Sequence, residues 1–394
     1  MGAGNAVGAS FRGMFRRRPA NLAVLAGFVV AGMVTTILGP LLPVLISRWS
    51  LTDQQAGLFF TLQFASNIAG VASLSALIPR CGYKFALVAG YLAIAFGLAG
   101  LNFPMEMVGL AATAAYGFGL GLVLPAANLW VAEKARSRRV AALSILNFVW
   151  GAGAIACAPL VLAAQRHSAI PAFLYGLAGA ALIAAALLLL VNLRTPAHEV
   201  EPDAESVSHG NRIAALALGV LFFLYVGAEN SVAGWAADFA KRMPNATGGI
   251  WTLAPMFFWG GLMAGRASVP ANPLRRRERL LVGGGLCTGL AGNIALITAT
   301  RFWAVAICQM VIGLGFAAIY PVLVAWLAKQ FGEGARRTGN LMFVLAAMGG
   351  ATMPWMVGFF STRENSLRTG LLVPVALCAA MLACLPWIPK RVAS

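Results

Sequence analysis

Tyr225-Val226-Gly227-Ala228-Glu229-Asn230-Ser231-Val232-Ala233-Gly234-Trp235 is the stretch on which the reading of this chain turns. It continues an apolar run that begins near Ile213, and it sets one carboxylate, Glu229, well inside a hydrophobic span. An ionised Asp or Glu at bilayer depth costs about 2.5–3.5 kcal/mol on insertion scales. A chain that keeps one there faces it into a polar cavity or partly protonates it. The rest of the sequence is therefore expected to build a cavity around Glu229.

Outward from that run, the composition is that of a membrane protein. Of 394 residues, 60% are hydrophobic and only 10% are charged, with mean hydropathy +0.81. A soluble domain carries about 25% charged residues, so a large water-soluble core is excluded. Apolar runs of about 20 residues, enough to cross roughly 30 Å of hydrocarbon, recur from Pro19 to the C-terminus. They predict an all-α, polytopic fold of twelve transmembrane helices. The first six lie at 20–46, 55–78, 85–101, 105–130, 140–163 and 170–193. The second six lie at 213–238, 247–266, 279–299, 301–327, 338–361 and 367–388. The domains are then a tail (1–19), a six-helix bundle (20–193), a linker (194–212), a second bundle (213–389) and a short tail (390–394). The linker holds Glu199, Glu201, Asp203 and Glu205 and reads as flexible and polar.

A net charge of +17 raises the question of nucleic acid, and the distribution of the charge answers it. With both termini cytoplasmic, all of the 29 basic residues fall on the cytoplasmic side except Arg48, Arg166, Lys241, Arg242, Arg301, Arg363 and Arg368. This is the positive-inside bias repeated at nearly every loop. It predicts a multi-pass protein of the inner (plasma) membrane, with the lipid bilayer as its surroundings and no nucleic-acid groove. Arg16-Arg17-Arg18 precedes an apolar run far longer than the 7–15 residues of a signal-peptide core, so that run is a retained first helix. The six cysteines show no paired spacing and the three histidines no ligand spacing. With no P-loop either, neither an enzyme nor an ATP-driven pump is indicated, and no cofactor or metal is expected.

The two sets of six look like copies. Gly119-Leu120-Gly121 followed by Pro125 matches Gly313-Leu314-Gly315 followed by Pro321, with the glycines offset by 194 residues. Phe148-Val149 precedes Pro159 as Phe343-Val344 precedes Pro354, at an offset of 195. Such repeats mark transporter folds whose binding site lies near the midplane. Small residues at these places let helix backbones approach closely, and prolines within spans are tolerated where neighbours satisfy the freed carbonyls. Trp49, Trp130, Trp303, Trp326 and Trp387, near span ends, are expected to form the interfacial belt.

Twelve spans, a mid-chain linker, the 6+6 repeat and the loop Pro79-Arg80-Cys81-Gly82-Tyr83-Lys84 together resemble the major facilitator superfamily. Arg80, Gly82 and Lys84 fit the superfamily's loop signature, while Pro79 stands where an Asp is usual; Gly265-Arg266 begins the corresponding loop of the second half, continued by Arg275-Arg276-Arg277. The resemblance implies gating roles for Arg80, Gly82, Lys84, Gly265 and Arg266. Tyr225 to Glu229 with Trp235, Gly313 to Phe316 with Tyr320-Pro321, and Asn147 to Gly151 are similar to the fucose– and glucose–proton symporter branch. That branch implies uptake of a hexose or polyol with a proton. Its acidic residues in the first and fourth helices are missing here, where Thr35, Thr36 and Asn128 stand instead. Coupling would then rest on Glu229.

Sugar sites combine amides, hydroxyls and aromatic faces in an apolar cavity. The expected substrate-binding set is Gln63, Asn67, Asn128, Asn147, Trp150, Tyr225, Asn230, Trp235, Trp259, Gln309 and Tyr320. Gln63 and Asn67 are one helical turn apart on one face, as are Tyr225 and Glu229. A single amide in a span is also common interhelical glue. The expected function is a monomeric secondary transporter of a small polar solute, with protons as a possible second partner. The alternatives are a proton-driven exporter of amphipathic compounds, an uncoupled facilitator, or a non-transporting receptor on the same fold.

Overall fold

The computed structural model describes residues 19–135, 138–193, 209–244, 247–269, 277–331 and 335–388. The N-terminal tail, most of the linker, Arg275-Arg276 and the C-terminal tail lie outside the described residues. The described elements are helical. They are α1 (Pro19–Thr36), α2 (Leu38–Trp49), α3 (Asp53–Gly100), α4 (Glu106–Lys134), α5 (Arg139–Arg166), α6 (Ile170–Leu190) and α7 (His209–Lys241). After a 3-10 turn at Ile250–Leu253 come α8 (Ala254–Ser268), α9 (Glu278–Thr298), α10 (Phe302–Phe316), α11 (Ile319–Phe331), α12 (Ala335–Arg363), α13 (Leu367–Gly370) and α14 (Leu372–Cys384).

Ten of these helical stretches are long and apolar enough to cross a membrane. One of them, α3, runs 48 residues, about 72 Å if straight, more than twice the hydrocarbon thickness. It reverses at Gly82, whose backbone (φ 76, ψ 171) no other residue type adopts readily. The reversal is visible in the packing, because a β-carbon on Gly70 would strike Gly121 and one on Gly90 would strike Gly119. Positions 70 and 90 would be about 30 Å apart on a straight helix, yet both lie beside the same turn of α4. Counting α3 twice and adding the shorter α8 gives the twelve expected spans among the described residues.

Two spans divide near a proline, whereas Pro125, Pro159 and Pro354 lie inside continuous helices. Pro40 withdraws the N–H that Thr36 would bond, and the first span divides into α1 and α2 at Ile37. The tenth divides into α10 and α11 just before Pro321, which then sits in a first helical turn, where a missing N–H does no harm.

By packing, the described residues fall into two compact units, one of 19–37, 66–157 and 168–193, the other of 38–65, 158–167 and 209–388. In the first, α1 lies on α6 and α4, and Gly32 and Gly153 bring α1 and α5 into backbone contact. In the second, α7 is the hub, packed along α12 and α14 and against α2 and α8. There Gly349 brings α12 against the backbone of Phe223. The first and fifth helices of each set thus meet through glycine in the same way.

The tryptophan belt is corrected in part. Trp303 and Trp387 are 62% and 82% exposed, as a belt requires. Trp130 and Trp326 are buried instead. The Trp130 indole donates to the Leu193 carbonyl (3.1 Å) with Lys134 over its ring, and the Trp326 indole donates to Glu278 Oε2 (2.7 Å). Each N–H has a protein partner, so neither ring needs the interface.

Candidate functional site

The site grows from one face of α7. Tyr225 and Glu229 are a turn apart, and Glu229 lies about 22 Å along the helix from Ala214, close to mid-span. The Tyr225 hydroxyl is 3.2 Å from Glu229 Oε1 and 3.3 Å from the Phe316 carbonyl, so its single proton serves one acceptor at a time. Tyr225 is fully buried and Glu229 half-buried. Arg266 of α8 is the cation whose charge acts on both, but no ion pair joins it to Glu229 among the described residues, and its Nε is buried with no hydrogen-bond partner among them. Aromatic rings close the surroundings. Tyr225 lies against Phe316 (5.6 Å) and Tyr320 (5.9 Å), and Phe222 meets Tyr320 edge-on (5.6 Å) and Phe343 (6.2 Å).

The other candidates of this unit differ in burial and in hydrogen bonding. Half-buried Asn230 donates to the Val226 carbonyl (2.9 Å) one turn back. Buried Gln309 donates weakly to the Val232 carbonyl (3.4 Å), and its own oxygen has no partner among the described residues. Gln63 is buried in α3. Trp235 is fully buried, its indole donating to the Pro354 carbonyl (2.9 Å), and Trp259 is buried edge-on to Phe258 (5.1 Å). Gly265 is where α8 crosses close to Ala317.

In the first unit, Asn128 and Asn147 each donate to a carbonyl one turn back, Leu124 and Leu143, at 2.8 Å. Asn67 is half-buried where α3 meets Gly121. The Trp150 indole points at Thr35 Oγ1 (3.4 Å). At the Gly82 reversal, Arg80 is exposed. Lys84 donates to the Leu189 carbonyl at the end of α6, and the neighbouring Tyr83 donates to Glu133.

Sequence reasoning missed a second buried carboxylate. Asp238 is 3% exposed near the end of α7. Arg242 Nη2 donates to Asp238 Oδ2 (2.5 Å) and to Asp53 Oδ1 (2.6 Å). Burial alone would disfavour the Arg242 charge, but the two carboxylates more than offset that and raise its proton affinity above the ordinary arginine value. The only signal was position: all three charges stand at span ends, where charges are ordinary.

The structure resembles several solved transporters in fold. A point mutant of the E. coli fucose:proton symporter is 18% identical with TM-score 0.60, covering 93% of this chain and 97% of its own. A bacterial homologue of the human lysosomal transporter Spinster, inward-facing and unoccupied, is 16% identical with TM-score 0.69 and 96% coverage of both chains. A point mutant of the nucleoside transporter NupG is 12% identical with TM-score 0.76, covering 94% of this chain and all of that one. No curated protein matches the chain. The Major Facilitator Superfamily sequence model matches residues 24–287, two thirds of the chain, and with twelve spans in two similar sets of six, the chain belongs to that superfamily: it is a multi-pass membrane transporter of small molecules, not an enzyme.

Proposed function

We propose that this transporter moves a small, polar, uncharged solute, a sugar or polyol, by alternating access, and that Glu229 couples the movement to protons. The observation that carries this reading is Glu229 itself: a mid-span carboxylate within reach of the Tyr225 hydroxyl, with Arg266 acting on it but not paired to it. A carboxylate locked in an ion pair is structural. One with a hydroxyl beside it and a cation at a remove can exchange partners as access alternates.

The amides support the choice of solute. Asn128, Asn147 and Asn230 each donate an amide N–H to a carbonyl on their own helix, which leaves their oxygens as acceptors for a ligand rich in hydroxyl donors. The fucose:proton symporter and the nucleoside transporter among the similar structures are in keeping with such a solute. The charge bias supports an inner-membrane location with cytoplasmic termini. A second reading, export of amphipathic compounds, is favoured by the connected cluster of Phe222, Tyr225, Phe316, Tyr320 and Phe343 rings.

The test is uptake of labelled hexoses and polyols into proteoliposomes at controlled pH, wild type beside Glu229→Gln. Saturable uptake stimulated by an inward proton gradient, with the stimulation lost and downhill exchange retained in the variant, is expected. Uphill uptake retained by Glu229→Gln would remove the coupling role. Flux of apolar cations but of no sugar would put the export reading first.

A further inference from the structure

We infer that Asp53, Asp238, Arg242 and Ser361 form a charge latch at the outer end of the molecule, holding the ends of the first two spans to the second set of helices until the outer gate opens. The latch is independent of Glu229 and of the solute carried. Three elements converge on it. Asp53 opens α3, Asp238 ends α7, Arg242 follows α7, and Ser361 lies in the last turns of α12. Arg242 binds both carboxylates through Nη2, and the second oxygen of Asp53 accepts from the Ser361 hydroxyl. One residue further along, the Gln54 amide N–H donates to Thr362 Oγ1 (2.9 Å). Beside it, Lys241 Nζ donates to Ser47 Oγ (2.7 Å) and to the Pro43 carbonyl (3.1 Å), which adds the end of α2.

Three arguments make this a latch and not a surface ion pair. The first is burial: the side chains of Asp53 and Asp238 are only 12% and 5% exposed, so the contact is drier than the exposed pairs that contribute little. The second is charge, since Arg242 bridges both carboxylates directly and Lys241 beside it adds a second cation. The third is reversibility. A cavity of about 330 Å³ lined by Arg242, Thr300, Asn365, Ser366 and Arg368 lies against the latch, so water can take over each hydrogen bond as it opens. An apolar seal has no such replacement.

Chain continuity gives the latch its leverage. Residues 38–65 belong to the compact unit of the second set, yet α3 continues from Asp53 as one limb to the Gly82 reversal, within the other unit. For the first six helices to move as one body, the outer end of α2 has to leave Lys241 and that of α3 has to leave Arg242.

The experiment needs no substrate. Gln54→Cys and Thr362→Cys are introduced together in the full chain in proteoliposomes, and disulfide formation under mild oxidant is followed by peptide mass spectrometry, so native cysteines do not interfere. Alkylation of Gln54→Cys alone by a membrane-impermeant maleimide added outside is measured in parallel. Arg242→Gln is expected to slow cross-linking and speed alkylation, each roughly threefold or more. Exchanging the charges, Asp53→Arg with Arg242→Asp, is expected to restore both rates. Ser361→Ala, which removes only a hydroxyl, is expected to move both rates the same way by less, and serves if Arg242→Gln does not fold. Unchanged rates in Arg242→Gln, or in Ser361→Ala where it alone folds, would overturn the latch, as would a folded charge exchange that behaves like Arg242→Gln.

Discussion

Glu229 and Asp238 stand nine residues apart on α7, both sheltered from water, and their partners differ. Asp238 has a cation in hydrogen-bond contact; Glu229 has a hydroxyl, with its cation held off. Glu229→Asp keeps the charge but withdraws the carboxylate by one methylene from Tyr225. It is expected to lower transport several-fold while pH stimulation persists, unlike Glu229→Gln, as read from proton-gradient-driven uptake. Trp326→Phe removes the indole N–H from Glu278 and is expected to cost about 1.5–3 kcal/mol, the range for a hydrogen bond to a charged group, seen as a lowered Tm in detergent. Glu229 was legible in the sequence because a carboxylate contrasts with the apolar run around it. Arg266 was legible as part of a basic loop but not as the charge acting on Glu229, because the two are joined by the packing of α8 on α7 and by no periodicity. Asp53, Asp238 and Arg242 were not legible as a cluster, since each alone resembles an ordinary charge at a helix end.

Among the elements, α4 and α10 show how a repeat can be visible and still be misaligned. In each, two glycines separated by one residue face opposite sides, about 200° apart on the helix, so the helix is sandwiched between two neighbours. Gly119 meets the Gly90 limb of α3 and Gly121 meets the Gly70 limb; Gly313 meets α8 and Gly315 meets α9. By chain order α8 corresponds to the limb carrying Gly70, so the offset of 194 pairs glycines that face non-corresponding neighbours. The sequence motif identified the sandwich but not its order, because Gly-Leu-Gly reads alike for either order. Gly121→Val and Gly313→Val each drive a side chain into a backbone carbonyl, of Asn67 and Phe258. Each is expected to destabilise its set of helices by at least about 1–3 kcal/mol, the usual cost of overpacking, measured as loss of monodisperse protein on heating. Gly284→Ala, whose β-carbon meets open space, is the matched control and is expected to be silent.

For the whole molecule, hydropathy made the number of spans legible, since length and apolarity are written in every one of them. The grouping into compact units was not, because which helix ends pack together depends on the conformation and not on composition. Orientation can be tested with a native residue. Cys81 is exposed beside the Gly82 reversal, on the side that the basic loops assign to the cytoplasm. In a variant keeping Cys81 alone, impermeant maleimide is expected to label inside-out vesicles and to leave right-side-out vesicles unlabelled; the reverse pattern would invert the topology. The reversal itself has a mechanical consequence. The turn from one limb of α3 to the other centres on a single residue, and a residue extends the chain by at most about 3.6 Å. A joint that short has no slack, so the limbs cannot piston past each other. They swing as a pair, and a small tilt at the joint becomes a lever's sweep at their far ends.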